Sequence, residues 1–441
     1  MALTSPASQP SPRILVVGAG LSGCVAAWCV RRAVGSSAQV HVWDGARGCG
    51  GRLATQRVLT KGGEEVRMNM GASRLHFKQG DNSIVHEELI DNLEKAGVVQ
   101  VVHQSSEGGI LLPKGASNEI CRFLLDKAKA ETAFQSRIKS IDFVNAKNQF
   151  SVSLFGKDKS KAEEFDAVVF AGSPAEVRTT HGGMRAFTSP MWRQLRHRVQ
   201  YTRNCCLGLA FRDTSVVKEI LEIFKDSPVF TANDAQGVIE ELVLQSNHTT
   251  HRMEDNTQQS NKRKAPSFAV TEGGNGMAIL VAVSTEKFAN THCRQLRATH
   301  RPTPEDREQQ QLITERLRNR VFQILAKICS GGEINPQALH KAVVAQKMNY
   351  WKYAQVQIQQ QSSNNSKASC FIADCPAPFI VVGDYFPGSH VAQPATSQSS
   401  QKSNHNGNNK SKACGFTAVV RSGEEAANQV AKVLLLAGKS G

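Results

Sequence analysis

Several things are scarce or missing in this chain, and each narrows what it can be. No run of about 18 apolar residues occurs, so no transmembrane helix is expected. The opening stretch, Met1 to Pro12, is rich in Ser and Pro and has no apolar core, so it is not a secretory signal. It holds no acidic residue, which leaves an organellar targeting role open beside that of a plain disordered tail. The closing Lys-Ser-Gly is not a peroxisomal address. Metal-ligand spacing is absent: Cys370 and Cys375 have no second pair, and His76, His86, His103 and His197 are scattered. No nucleophile–base dyad stands out. Lys and Arg exceed Asp and Glu by 53 to 38, a net charge of +15, yet no basic stripe with interleaved aromatics appears. Nucleic acid is therefore not expected as a partner, nor is a membrane. Lys262-Arg263-Lys264 reads as part of a solvated loop, and a positive field suits a phosphate-bearing ligand.

What is present is ordinary for a globular protein of two domains: 441 residues, 40% hydrophobic and 21% charged. Eleven cysteines, an odd number without a secretory signal, point to free thiols in a reducing compartment, and the cytoplasm is the expected location. Arg13 to Val17 reads as a strand, Leu21 to Ala33 as a helix and Val40 to Trp43 as a second strand. That order within about 30 residues is a βαβ unit with a parallel sheet. Ile84 to Ala96 and Asn118 to Ala130 are amphipathic helices. Ile138 to Phe143, Phe150 to Leu154 and Ala167 to Phe170 read as strands. Gln200 to Phe211 and Met277 to Ser284 read as strands of a different sheet. Leu312 to Ile328 is a long helix, Ile380 to Val382 a buried strand and Gly423 to Leu436 a closing helix. The segments 246–266, 357–368 and 393–413 are rich in Asn, Gln, Ser and Lys; they are expected to be disordered low-complexity insertions.

Chemistry enters at Gly18-Ala19-Gly20-Leu21-Ser22-Gly23, a G-x-G-x-x-G run between the strand and the helix. Gly18 permits the tight turn, Gly20 lets a pyrophosphate approach the backbone, and Gly23 lets helix and strand pack closely. The helix N-terminus, with Ser22 in its first turn, offers free N–H groups to the phosphates. Asp44, at the end of the second strand, is placed to accept ribose hydroxyls, and an acid there favours an unphosphorylated 2′-OH.

Further segments carry a resemblance. Gly50-Gly51-Arg52 resembles the Gly-Gly-Arg run that follows the βαβ unit in flavoproteins of the amine-oxidase-like superfamily. Asn69-Met70-Gly71-Ala72 resembles their Asp-x-Gly-Ala turn, with Asn69 in place of the usual Asp. Val381-Val382-Gly383-Asp384 resembles their late strand-Gly-Asp, and Gly423, preceded by Ser422 as N-cap, resembles the head of their last helix. Within that superfamily the chain is similar to the renalase family. Val42 to Asp44, Pro113-Lys114-Gly115, Gly208-Leu209, Trp351-Lys352-Tyr353-Ala354-Gln355-Val356 and Gly415-Phe416-Thr417 carry the likeness. In that family the Gly-Asp and Gly-Phe-Thr pieces are contiguous, whereas here Tyr385 to Cys414 lies between them.

The resemblance implies an α/β fold of p-hydroxybenzoate-hydroxylase-like topology, in which a Rossmann-like FAD-binding domain with a parallel sheet is interleaved with an α+β substrate domain. The FAD-binding domain would use 11–75, 107–180 and 340–441, after a tail at 1–10; the substrate domain would use 76–106 and 181–339. FAD is the implied cofactor, touched by Gly18, Gly20, Ser22, Gly23, Asp44, Gly51, Arg52, Gly71, Ala72, Ile138, Gly383, Asp384 and Gly423, with Trp351 and Tyr353 facing substrate. The last helix would point its N-terminus at the flavin. The implied activity is oxidation of isomeric 2- or 6-dihydro-NAD(P) to NAD(P)+ by hydride transfer to flavin N5, with oxygen reduced to hydrogen peroxide. Such a substrate becomes aromatic as hydride leaves, so no general base is needed. The partners would be a small molecule and oxygen. Two alternatives stand beside this: a flavin amine or polyamine oxidase, for which four tyrosines are few to build an aromatic cage, and a non-catalytic FAD-binding signalling module.

Overall fold

The computed structural model describes residues 11–72, 74–78, 84–105, 108–156, 162–195, 199–232, 234–245, 276–293, 303–329, 334–351, 356–358, 370–373, 375, 377–383 and 415–437. Strand β1 (Arg13–Val17) is a run of β-branched and apolar residues buried on both faces, as a central parallel strand requires. It pairs in parallel with β2 (Gln39–Trp43) on one side and with the strand Ala167–Phe170 on the other. Glu131–Ala133 adds in parallel beyond β2. Phe379–Val381 adds in parallel beyond Ala167–Phe170, and Phe371–Ile372 closes that edge antiparallel.

Alternation along β1 splits its side chains between two cores. Ile14 and Val16 pack with helix α1 (Leu21–Val34), Ile120 and Leu124 of the helix Glu119–Ala128, and Phe416 and Val420 of the closing helix Gly415–Ala437. Leu15 and Val17 pack on the other face with Ile141, Phe150 and Phe165 of a three-stranded antiparallel meander. Two buried faces around one sheet make the three-layer α/β arrangement expected from the βαβ unit.

A second sheet has five strands, all antiparallel, in the order Val229–Thr231, Ile239–Gln245, Ala278–Ser284, Asn204–Phe211, Val343–Trp351. Its two faces differ in what covers them. Leu207, Leu209 and Leu280 pack under the helices Glu286–His292 and Pro304–Ile328. Cys206, Ala210, Ile279 and Val281 pack against Met68 and Met70; Met68 lies in, and Met70 just after, the hairpin of β3 (Thr55–Leu59) and β4 (Glu65–Asn69). Gly208 is part of this contact: a Cβ there would sit 2.6 Å from the Met68 sulfur and 2.7 Å from that of Met70.

Several boundaries differ from expectation. The strand Val343–Trp351 lies in the stretch 340–441 assigned to the first domain, yet it pairs along Asn204–Phe211 in the second sheet. The stretch 76–106, assigned to the second domain, buries Phe77, Leu89, Leu93 and Val99 in the core around α1. Gln200 to Phe211 is two strands in two sheets, because Val199–Tyr201 pairs with Val356–Ile358. Gln357 and Ile358, expected in a low-complexity insertion, therefore belong to a strand; the rest of 357–368, with 246–266, 393–413 and the tail 1–10, lies outside the described residues. The long helix starts at Pro304, eight residues before Leu312, on a capping box of Thr303 and Asp306. The closing helix starts at Gly415, so Gly423 is in its interior and Ser422 is not its N-cap. Gly423 is there for close packing: a Cβ would meet Val25 Cγ1 at 3.1 Å and the Ala26 nitrogen at 3.2 Å, so the closing helix lies nearly backbone to backbone on α1. The Ser422 hydroxyl instead accepts a hydrogen bond from the Gly383 N–H at 3.0 Å.

Candidate dinucleotide site

The N-terminus of α1 is left bare by its own sequence. Gly20 is the N-cap and has no side chain to cap with, and no acidic residue sits in the first turn. The helices Pro174–Thr179 and Pro304–Ile328 each carry a capping box with an acid at its third position. Uncapped N–H groups and the positive end of a helix dipole favour an anion supplied from outside the helix.

Three glycine-bearing segments converge on that end. Gly18 turns at φ +99°, a left-handed region that favours glycine, and its N–H donates to the Trp43 carbonyl at 2.7 Å. The Gly50 N–H donates to the Ala19 carbonyl at 2.9 Å, and Gly20 and Gly50 form a parallel bridge. Gly51 lies against Gly20, where its Cβ would come within 3.1 Å of the Gly20 Cα. Gly71 then lies on the Arg52 carbonyl, 2.0 Å from where its own Cβ would be, and the Ala72 N–H donates to the same oxygen at 2.7 Å. Gly23 is required for packing, since its Cβ would fall 1.8 Å from the Gly18 carbonyl oxygen. Around Gly20 the case is opposite. Among the described residues, the single neighbour within 4 Å of its Cβ position is the Gly51 Cα at 3.9 Å, which leaves open space there.

Asp44 is held in place by backbone. Its Oδ2 accepts the Ala19 N–H at 2.6 Å and its Oδ1 the Ala46 N–H at 2.7 Å. A carboxylate oxygen has more than one lone-pair direction, so acceptor capacity remains. The Ser136 N–H donates to the Asp44 carbonyl at 2.8 Å, and the Gln135 N–H to that of Ala46 at 2.8 Å. Ile138, two residues further along, begins the meander strand Ile138–Val144 beside this turn. The thiols of Cys24 and Cys49 flank the loop, donating to the Ala19 and Asn118 carbonyls. Burial pushes Cys24 well up and Cys49 up to about 11, so neither adds negative charge beside the bare helix end.

The turn at Asn69 ties the two sheets together. Its Oδ1 accepts the Ser117 N–H at 2.8 Å and the Thr55 hydroxyl at 2.7 Å, while its Nδ2 donates to the Gly115 carbonyl at 2.9 Å. That last bond needs an amide, which accounts for Asn in place of Asp. Gln245, at the end of a strand of the second sheet, places its side-chain amide against the Asn69 backbone: Oε1 accepts from the Asn69 N–H and Nε2 donates to its carbonyl, both at 3.1 Å. Trp351 Nε1 donates to the Met70 carbonyl at 2.5 Å, which brings Trp351 to the same turn. Lys347 is exposed and, by alternation, shares the face of Ala345 and Trp351.

The structure thus gathers Gly18, Gly20, Ser22, Gly23, Asp44, Gly51, Arg52, Gly71 and Ala72 around one helix end, with Trp351 at the turn beyond. Gly383 is buried at the end of the strand Phe379–Val381 and bonded to Ser422. Gly423 is placed in a helix–helix contact. Asp384 and Tyr353 lie outside the described residues. Sequence reading missed Gln245, the amide that follows the apolar run Leu242–Leu244 and directly precedes the Asn-rich segment; a buried strand end carrying an amide was the available signal. Among the described residues, no group of three or more His, Cys, Asp or Glu could hold a metal, and no helix is long and apolar enough to cross a membrane.

Comparison with known proteins agrees with this geometry. A family model described as an NAD(P)-binding Rossmann-like domain matches residues 16–93. Renalase from Mus musculus is 24% identical over 211 residues, covering 45% of this chain and 58% of the mouse protein, so the match spans less than two thirds of that relative. A putrescine oxidase redesigned in its cofactor binding superimposes with a TM-score of 0.56 at 11% identity, covering 96% of this chain and 99% of the other. Cyclohexylamine oxidase from Brevibacterium oxydans IH-35A does so with a TM-score of 0.51 at 12% identity, covering 96% and 100%. The fold is therefore a Rossmann-type dinucleotide-binding α/β fold joined to an antiparallel second sheet, shared with these two oxidases. Within that class the chain is renalase-like over the matched stretch.

Proposed function

We propose that the chain is an FAD-dependent oxidase whose substrates are isomeric dihydronicotinamide dinucleotides. The observation that carries the cofactor is the uncapped start of α1, walled by Gly18–Gly20, Gly50–Gly51 and Gly71, with open space where a Gly20 Cβ would stand. These residues fit a pyrophosphate: bare N–H groups, no competing acid in the first turn, and protonated thiols alongside.

The α1 N–H groups, including that of Ser22, would hold the phosphates, and Asp44 would accept from the ribose while its two backbone bonds fix its direction. Ile138 would border the adenine side, and Arg52, Ala72, Gly383 and Asp384 would follow the rest of the cofactor. When bound, FAD would supply a two-electron acceptor, taking hydride from the substrate and passing both electrons to oxygen, which with two protons becomes hydrogen peroxide. The protein's part is positioning. Trp351, fixed through the Met70 carbonyl, and Tyr353 would bound the substrate ring. Because hydride loss makes a dihydropyridine aromatic, no side chain has to remove a proton, and a site without a base dyad suffices. The division into an FAD-binding and a substrate domain belongs to the same proposal.

The test is anaerobic reduction of the purified, flavin-loaded protein by 2- and 6-dihydronicotinamide dinucleotides and by a panel of amines. Bleaching by the nicotinamide isomers, followed by peroxide release on admitting air, is the expected result. Bleaching by amines alone would move the assignment to an amine oxidase; no bleaching by either would leave an FAD-binding module. A chain that purifies without flavin and takes none up would end the cofactor assignment.

A further inference from the structure

On the face of the second sheet away from Met68 and Met70, the helices Glu286–His292 and Pro304–Ile328 and the turn at Gly237 enclose a cleft of about 460 Å³. Among the described residues lining it none carries a carboxylate, whereas Lys287, Arg316 and Arg320 are positively charged. The three cations are not equivalent. Arg320 is neutralised from behind by Asp234, whose carboxylate is buried and also accepts the N–H groups of Gln236, Val238 and Ile239. Lys287 and Arg316 have no ion-pair partner among the described residues, leaving two uncompensated charges at the cleft.

Arg316 is also aimed. Its Nη1 lies 3.3 Å from His292 Nδ1. Burial, and then the Arg316 charge, hold the His292 pKa below its ordinary value, so near neutral pH the ring accepts from the guanidinium and does not repel it. Holding a long side chain in one direction costs rotamer entropy, and here the half-buried His292 offsets part of that cost before any ligand arrives. The floor is apolar: Phe288 is 6% exposed, and its ring lies 4.6 Å from the imidazole. The volume falls within the range of small-molecule sites, roughly 300–1,000 Å³, which is more than a bare inorganic anion fills.

We propose that this cleft is a second ligand site, separate from the dinucleotide site, that binds the dianionic phosphate of a small aromatic phosphate monoester. Arg316 takes the phosphate as a fork and Lys287 as a point charge, matching two charges with two, and the organic part lies over Phe288 and His292. The site stands on the opposite face of the sheet from Trp351, so it does not depend on the assignment of FAD or substrate.

The test is calorimetric titration of the flavin-loaded full chain at pH 7.5 with phenyl phosphate, inorganic phosphate and phenyl sulfate. Phenyl phosphate is expected to bind, to weaken as salt rises, and to exceed both the monoanionic sulfate and inorganic phosphate by several-fold. The double substitution Lys287→Ala with Arg316→Ala is expected to weaken phenyl phosphate at least tenfold with the flavin-to-protein absorbance ratio unchanged, and Arg316→Lys to recover only part. Two results would overturn the assignment: no heat from phenyl phosphate at millimolar concentration, or equal binding by wild type and the double variant. Equal affinity for phenyl sulfate would overturn the charge match.

Discussion

Glycines 20 and 23 lie three residues apart and are needed for different reasons, which substitution can separate. Gly23→Ala drives a methyl group into the Gly18 carbonyl at 1.8 Å, and neither backbone can yield without parting helix from strand. The expected cost is about 3 kcal/mol or more, at the upper end of overpacking losses, read by urea denaturation. Gly20→Val meets little protein, since Gly51 Cα at 3.9 Å is an ordinary contact, and Gly20 has φ −75°, which any residue adopts. The variant is expected to fold with near-native circular dichroism and to lose flavin absorbance, because its side chain fills the space left for phosphate. A Gly20→Val protein that purifies with one flavin per chain would refute that placement. His86 makes a separate prediction at this scale. It is buried, with Nε2 3.1 Å from the Thr417 hydroxyl, and burial lowers its pKa to about 4. The unfolded chain, with an ordinary His value near 6.5, then binds more protons than the folded one between about pH 6.5 and 4. Stability from this group is present above pH 6.5 and is lost as pH falls through that window, on the order of 3 kcal/mol in all. Urea midpoints at pH 7 and 5 should differ more for wild type than for His86→Leu.

At the scale of elements, how well the sequence could be read depends on where each element's stabilisation comes from. Helices whose apolar face repeats in their own residues were legible: Ile84 to Ala96 was expected, and Ile84–Lys95 is found. The βαβ unit was legible for the same reason, and so was the glycine loop within it. The last helix was misplaced because Gly423 looks like a helix start when local propensity alone is weighed. Its tolerance inside a helix is set by α1, a partner about 400 residues earlier in the chain. Val343–Trp351 was missed because half its side chains are polar or exposed, and its register comes from the fully buried strand Asn204–Phe211. Gln245 was hidden likewise, since its role exists only once Asn69 lies opposite. Two predictions follow from these contacts. Gly423→Leu should separate α1 from the closing helix and cost about 2–3 kcal/mol, with Gly423→Ala costing less, by thermal or urea unfolding. Gln245→Ala removes two bonds to a buried backbone pair and should cost about 1–3 kcal/mol; it should also raise the KM for substrate, because the turn carrying Met70 and hence Trp351 loses its tie to the second sheet.

Over the whole molecule, the parallel sheet is assembled from distant stretches of chain. Phe379–Val381 pairs with Ala167–Phe170, which pairs with Arg13–Val17, and the closing helix covers α1. A chain ending at residue 369 would keep the entire glycine motif yet expose the Ala167–Phe170 edge and one side of α1. It is expected to aggregate and to hold no flavin, measured by the soluble fraction and absorbance after expression at low temperature. During synthesis the same arrangement imposes an order. The phosphate-binding turn leaves the ribosome well before the strand and helix that complete its surroundings. Ligand capture therefore has to wait until that strand and helix have emerged, and a chain cut short ahead of them would carry the full binding fingerprint and no capacity to bind.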